Sequence, residues 1–387
     1  MAGVAAAVAA ARNGASVCLL DKAYGLGGLA TLGNVIVWLP LCDGRGRQVI
    51  AGLAEELLKL SVADLARDNR PARFIGIPAC WQPGGDPEAR KRTRYQVEFN
   101  PASYLLALEK WLLEAGVKLL YDTRVCAVAR RRDRIKHLVV ENKSGRSAVA
   151  CRVVIDATGD ADVCALAGEE TESLDTNVLA GWYYHLTASG LHLNLMSNRY
   201  SPDARKEGAV GPFFRGDDAE QVTAQILGAR EMIRQRMAAL RAKQPEEDAQ
   251  LVMPNMIPCF RMTRRLVGSF SLGEINRHEW FDDTIGLTGD WRKDGPVYAI
   301  PLRSLLGVRN RNLLAVGRCI SADTTVWDVT RAIPGCVATG EAAGTAAALA
   351  AKRKGCDLRT LPVARLQAQL KSQGAILDPE MAKPARE

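Results

Sequence analysis

Residues 3–21 read GVAAAVAAARNGASVCLLD, an alanine-rich run closed by Asn13-Gly14 and followed by an apolar run that ends on Asp21. The first part predicts a helix over residues 3–13, and the bounded apolar run predicts a buried strand over residues 16–20. Helix, tight turn, strand and acid form the second half of a βαβ unit. In the dinucleotide-binding version of that unit, glycines spaced GxGxxG join the first strand to the helix. The helix N-terminus faces a pyrophosphate, and an acid at the tip of the second strand takes the ribose hydroxyls. Asp21 lies 18 residues beyond Gly3 (21 minus 3), which suits that acid if Gly3 is the third glycine. On this alignment the first strand and two glycines would precede Met1. The expectation is then either a start upstream of Met1, which is preferred, or a shortened chain with little affinity for the ligand. Loss of a central strand would leave backbone groups of its neighbours unpaired, at about 1–3 kcal/mol each. Taken alone, residues 3–21 fit any helix and strand of an α/β protein equally well.

Three further segments add weight. Gly25–Gly28, GLGG, lets backbone amides approach a phosphate with no side chain in the way. Ile155–Asp162, IDATGDAD, runs a strand into a turn of small residues against which a bulky ligand can lie. In NLLAVGRCISADTTVWDVTRAIPGCVATGEAAG, Asn312–Gly344, a strand ends at Gly317 and a helix starts near Pro334, offering unpaired amides to an electron-rich group.

The succession DKAYGLGGLAT, IDATGDAD, GRCISA and RAIPGCVATGEAAGTAAALA resembles the large FAD-dependent oxidoreductase family with the glutathione-reductase-like FAD fold, over about residues 1–355. The resemblance implies an α/β architecture with a discontinuous Rossmann-like FAD-binding domain and an inserted α+β substrate lobe. The domain would take residues 1–60, 95–168 and 302–360, the lobe residues 61–94 and 169–301, and a C-terminal tail residues 361–387, disordered from about Ile376. It further implies FAD as cofactor, bordered by Gly3, Asp21, Lys22, Gly27, Gly28, Thr31, Val125, Ala157, Thr158, Gly159, Gly317, Arg318, Arg331, Pro334 and Gly335. In that reading Asp21 takes the ribose, Gly27 and Gly28 the pyrophosphate, Val125 the adenine, and the helix start at Pro334-Gly335 the isoalloxazine. Asp21 alone does not separate FAD from NAD. A simple nicotinamide domain, however, has no use for a glycine-rich helix start 314 residues later (335 minus 21).

Elsewhere the chain predicts a helix from Asn100-Pro101 to Gly116, a meander of strands through VKLLY, TRVCAVAR and IKHLVVE, and one longer strand, AVACRVVIDATG. Beyond Glu169 come the strands GWYYHLTA and LHLNLM and a charged helix over Ala219–Lys243. The lobe should cover the reactive face of a flavin. It carries His278, Asp282, Asp283 and the cluster FRMTRR, so His278, Arg261 and Arg264 are the candidates for catalytic or substrate contact. Guanidinium pairs bidentately with carboxylate, so these arginines would suit a small carboxylate substrate, although such clusters more often serve surface or structural ion pairs. His185 and His192 lie on strand patterns and read as structural. Cys319 and Cys336 flank the expected flavin site, with only Arg318 nearby to activate a thiol.

The 387 residues are 48% hydrophobic and 24% charged, as in ordinary globular enzymes, and carry a formal net charge of +8. The basic clusters at Arg90–Arg94 and Arg130–Arg134 are short and accompany no reading motif, so nucleic acid is not the expected partner. There is no CxxC pair among ten cysteines and no metal-ligand pattern, which points to a reducing compartment. No apolar run reaches the roughly 18 residues of a membrane span, so the expectation is a cytoplasmic protein with a small-molecule substrate; a homo-oligomer is compatible. The function expected is hydride or electron transfer through FAD. Alternatives are a monooxygenase or halogenase-like flavoenzyme, and a shortened, non-enzymatic relative that no longer binds FAD.

Overall fold

The computed structural model describes residues 1–70, 75–202 and 208–385. Helix α1 (Ala2–Arg12) is buried along most of its length because it is built from Ala and Val on every face. It lies against the C-terminal helix of the glycine-rich stretch, which spans Ile333–Ala351 and is numbered α6 below. Contact is at backbone range. A Cβ at Gly340 would stand 2.3 Å from the Ala2 carbonyl oxygen, and one at Gly344 would stand 2.2 Å from that of Ala6. Residues four apart share a helix face, so these two glycines form a seam into which α1 settles.

Strand β1 (Cys18–Leu20) follows α1, and helix α2 (Leu53–Ser61) comes after a long glycine-containing loop. Helix α3 (Pro101–Glu114) is capped by Asn100, whose side chain accepts from the Ala102 and Ser103 amides, and it buries Tyr104, Leu108 and Leu112. It returns the chain to β2 (Lys118–Leu120), which pairs in parallel with β1, Cys18 opposite Lys118.

The antiparallel meander of β3 (Arg124–Arg131), β4 (Arg134–Asn142) and β5 (Gly145–Ala150) comes next. The single long strand expected through AVACRVVIDATG is in fact two. At Cys151 the chain still bonds to Lys136 of β4, but at Val154 its amide turns to the Asn312 carbonyl, and β6 (Val154–Asp156) then pairs in parallel with a strand from the far end of the sequence. The change of partner is pinned by the Asn312 side chain, which accepts from the Ile135 amide and donates to the Ile135 and Arg152 carbonyls, each at 2.9 Å.

The lobe is a three-stranded antiparallel sheet of β7 (Ala180–Thr187), β8 (Gly190–Ser197) and β9 (Gln250–Met253), with β7 in the centre. Helix α4 (Ala219–Lys243) packs on β7 through Gln225, Ala229, Ile233 and Met237, a strict four-residue stripe. The hairpin of β10 (Thr284–Gly289) and β11 (Val297–Pro301) is buried at every position and packs on α6. The expected lobe boundary at residue 301 thus falls at the end of a hairpin that packs on α6.

Strand β12 (Leu313–Ala315), the partner of β6, leads into helix α5 (Thr324–Thr330) and then into α6. The expected disordered tail is a correction. Helix α7 (Val363–Ser372) buries Leu366 and Leu370, and Leu377 and Ala382 of the following segment also enter the main core. Gln367 fastens α7 to the Asp282 and Thr284 carbonyls at 2.8 and 3.0 Å. Among the described residues, no helix is long and apolar enough to cross a membrane.

Candidate cofactor groove and substrate end

Among the described residues β1 and β6 have one strand partner each, and the start of α1 lies between their ends. A Cβ on Gly3 would stand 3.1 Å from that of Ala157 and 3.5 Å from Leu19 Cδ1. At the tip of β1, Asp21 is fixed by its amide bond to Leu120 and by the Thr123 amide on its own carbonyl, each 3.0 Å. Its carboxylate accepts the Ala23 amide at 2.9 Å, while burial pushes its pKa above the usual carboxylate range.

Gly27 and Gly28 adopt φ of 100° and 59°, the left-handed region. Thr31 is turned into this loop: its hydroxyl donates to the Leu26 carbonyl, and a Cβ on Gly27 would strike it at 2.8 Å. Thr31 therefore clasps the loop and is 1% exposed. Above Gly28 nothing stands within 4 Å of a built Cβ, so the backbone there is bare and open.

Beyond β6 the buried Asp156 carboxylate organises the turn, accepting from the Thr158 amide and hydroxyl at 3.1 and 2.7 Å and from the Cys164 amide at 2.8 Å. Gly159, at φ 80°, gives its carbonyl to Arg318 Nε at 2.5 Å. Arg318 also holds the Asp160 carboxylate at 2.7 Å and the Phe260 carbonyl at 3.2 Å, so it ties the loop after β6 to the loop after β12 and to the lobe. Gly317, at φ 68°, has Ala2 and Cys336 so close that a Cβ would meet them at 2.9 and 3.3 Å. A Cβ on Gly335 would stand 2.8 Å from the Thr330 carbonyl oxygen, so the tight passage from α5 into α6 requires glycine. Among the described residues no side chain caps α6, which leaves the Ile333 and Gly335 amides of its first turn to face outward from the helix.

These segments converge. Met1 lies within electrostatic range of Cys336, Asp21 and Arg318 together, although the four are drawn from three parts of the sequence. At the Asp21 end a cavity of about 390 Å³ is lined by Lys22, Arg124, Val125, Asp162, Ala165, Leu166 and Arg264. Three cations face one carboxylate there, and Arg264 Nη2 engages that carboxylate at 2.6 Å while its Nε donates to the Asp160 carbonyl at 2.8 Å. An anionic, elongated dinucleotide fits this arrangement: a positively lined cavity beside a ribose-type acid, bare glycine backbone at Gly28, the Arg318 guanidinium against Gly159, and uncapped helix amides at the other end.

The structure redistributes the expected catalytic candidates. Arg264 lines the cavity beside Asp21 and is paired with Asp162 there. Arg265 is paired with Glu172 at 2.5 Å and stands over Trp327. His278 directs Nδ1 to the Ala382 carbonyl at 2.8 Å, and its amide bonds to Val297, so it holds the C-terminal segment onto the lobe side of the core. Arg331 closes an ion pair with Asp328 at 2.5 Å, and Arg261 packs over Tyr200, 4.6 Å from its ring centroid. Cys319 accepts the Ala161 amide, and burial pushes its thiol well above the ordinary range. Burial raises Cys336 likewise, against the nearby cations. Neither thiol is set up as a nucleophile. Sequence reasoning missed Arg124 and Asp162 as cavity residues. It also missed Tyr200 and the network of Asp290 and Arg292, in irregular segments, with Asp328 of α5, none of which belongs to a motif.

Comparison with known proteins identifies the family. The family model described as FAD dependent oxidoreductase matches residues 1–178 and 183–370. A comparison with curated protein sequences finds no match. Among solved structures, a geranylgeranyl bacteriochlorophyll reductase-like protein from Thermoplasma acidophilum is 11% identical with a TM-score of 0.43, covering 98% of this chain and 87% of that one. The p-nitrophenol 4-monooxygenase PnpA from Pseudomonas putida DLL-E4 is 10% identical with a TM-score of 0.40, covering 98% and 80%. CabE, an aromatic hydroxylase from angucycline biosynthesis, is 13% identical with a TM-score of 0.41, covering 96% and 66%. This chain thus spans about two thirds of the length of CabE. With nine tenths of its residues inside the matched model, the chain belongs to the FAD dependent oxidoreductase family.

Proposed function

We propose that this chain is an oxidoreductase that holds FAD along the groove from the Asp21 cavity to the start of α6 and uses it on a small organic substrate. The observation that supports this most strongly is the meeting of Asp21, the Ala157–Gly159 turn, Gly317-Arg318 and the first turn of α6 around the start of α1. Bound FAD supplies hydride or single-electron transfer, chemistry that no side chain performs alone.

The chain's own residues bind and orient. Asp21 would accept ribose hydroxyls, and Lys22, Arg124 and Arg264 would set the positive field around the adenosine end. Gly28 would keep side chains away from the dinucleotide, and Gly159 makes room for the Arg318 guanidinium. The uncapped amides of α6 would face the flavin ring, where their partial positive charge favours the electron-rich edge that develops on reduction. Arg318 positions two of these loops without being free to do more.

The test is the visible absorption of the purified chain supplied with FAD, followed by anaerobic addition of small acids, alcohols and amines. A bound flavin spectrum that bleaches with one substrate class supports the reading. A protein that retains no flavin after gel filtration at micromolar FAD overturns it.

A further inference from the structure

Two of the three arginines in FRMTRR are spoken for by carboxylates, and Arg261 is not. Its guanidinium lies on the Tyr200 ring, with Nη2 donating to Ser197 Oγ at 3.0 Å at an exposed edge. The backbone beneath is held by Asn177 Oδ1, which accepts the Arg261 amide at 2.7 Å. Arg261 Nη1 is buried with no acceptor among the described residues, and the Tyr200 hydroxyl is buried beside the Thr176 hydroxyl.

The charges around it do not balance. Arg331 takes Asp328 at 2.5 Å, Asp328 is shared with Arg292 at 3.4 Å, and Arg292 takes Asp290 at 2.9 Å. Among the described residues, three guanidiniums, those of Arg261, Arg292 and Arg331, thus meet two carboxylates, and the surplus charge rests on Arg261. Burial first, and Arg331 second, hold its guanidinium below the ordinary arginine range. A partly buried cation without a counter-ion costs stability, and sites that keep one are commonly built to receive an anion. Its location suits a substrate. Arg331 lies within electrostatic range of Cys336 in the first turn of α6, and Phe260, next to Arg261, is held by Arg318 of the groove.

We propose that Arg261, with the Tyr200 hydroxyl beside it, is the carboxylate-binding subsite of the substrate. The proposal rests on the flavin reading for the identity of the ligand as a substrate, and on the geometry alone for its chemistry. A carboxylate docked on the open Nη2 edge beside Ser197 supplies the missing negative charge, and a small rotation of the guanidinium brings Nη1 to its second oxygen. Arg264 and Arg265, each already paired with a carboxylate, contribute nothing to it.

The test is a calorimetric titration of the full chain in the presence of FAD, with benzoate as probe and benzamide as its neutral twin. Benzoate binds the wild type and benzamide binds roughly tenfold more weakly or worse. Arg261→Gln loses benzoate affinity by roughly tenfold or more, Arg261→Lys recovers part of it, and the flavin absorbance per protein stays at the wild-type level. Arg261→Gln also melts no lower than the wild type, because it removes an unpaired charge, whereas a merely structural arginine would show a lowered melting temperature and unchanged benzoate affinity. No benzoate binding by the wild type, equal affinity for the two probes, or wild-type affinity in Arg261→Gln overturns the proposal. A colourless protein with Arg261-dependent benzoate binding keeps the subsite and overturns the flavin reading instead.

Discussion

Replacing Glu341 by Gln should make the protein more stable at alkaline pH and change little near pH 4.5. Glu341 sits on α6 with its carboxylate against the start of α2, accepting the Leu53 amide at 3.0 Å, and is 2% exposed. Gly52 at φ 64° leaves room for it; a Cβ there would meet the carboxylate oxygens at 2.8 and 2.9 Å. The amide and the helix start favour the charged form, but the other oxygen has no partner, and burial outweighs both, raising the pKa from 4.5 to about 7. Because the folded chain holds this proton more tightly than the unfolded chain, stability falls as pH rises from about 4.5 through about 7 and is level above it. A shift of that size corresponds to about 3 kcal/mol. Gln keeps an acceptor for Leu53 and has no proton to lose. Urea unfolding followed by circular dichroism from pH 4.5 to 8.5 should therefore show the variant gaining on the wild type by up to about 3 kcal/mol across that window. A stability difference that does not change with pH would refute the buried, proton-holding carboxyl.

Three other substitutions test the packing that builds the groove. Gly344→Val drives a side chain into the Ala6 carbonyl, 2.2 Å from where its Cβ must stand, and should cost about 3 kcal/mol or more in the same unfolding assay. Arg318→Met leaves the Asp160 carboxylate and the Gly159 and Phe260 carbonyls without their donor, for a loss of about 3–5 kcal/mol that Arg318→Lys should not fully restore, since an ammonium cannot reproduce the planar fork. Leu370→Ala should cost about 2–5 kcal/mol by thermal melting, because Leu370 is 1% exposed in the main core; a silent substitution would mean the C-terminal segment is not docked.

What could be read from the sequence was what is written locally. Ala219–Lys243 and Pro101–Glu114 form helices where charge pattern, cap and stop signal placed them, and β1 ends at the Asp21 carboxylate as the apolar run indicates. The run from residue 148 to 156 reads as one strand because its composition does not change at Cys151. The break is decided by Asn312, 177 residues away from its partner Ile135, and nothing local announces it. The C-terminal helix carried its own signal in Leu366 and Leu370, and the segment after it in Leu377, outweighed in reading by the polar residues around them. The cluster FRMTRR gave three arginines and no direction for any of them. Arg264 and Arg265 point to opposite sides of a short strand, as successive strand residues must, and only the partners on each side separate a cavity lining from a structural ion pair and from the unpaired Arg261.

The claim that separated backbone segments converge on one dinucleotide is tested most directly by hydrogen–deuterium exchange of the full chain with and without FAD. Exchange should slow together in residues 21–31, 155–162, 317–320 and 331–337, and stay unchanged in the remote helix over residues 219–243. Protection confined to one of the four segments, or to none, would contradict it.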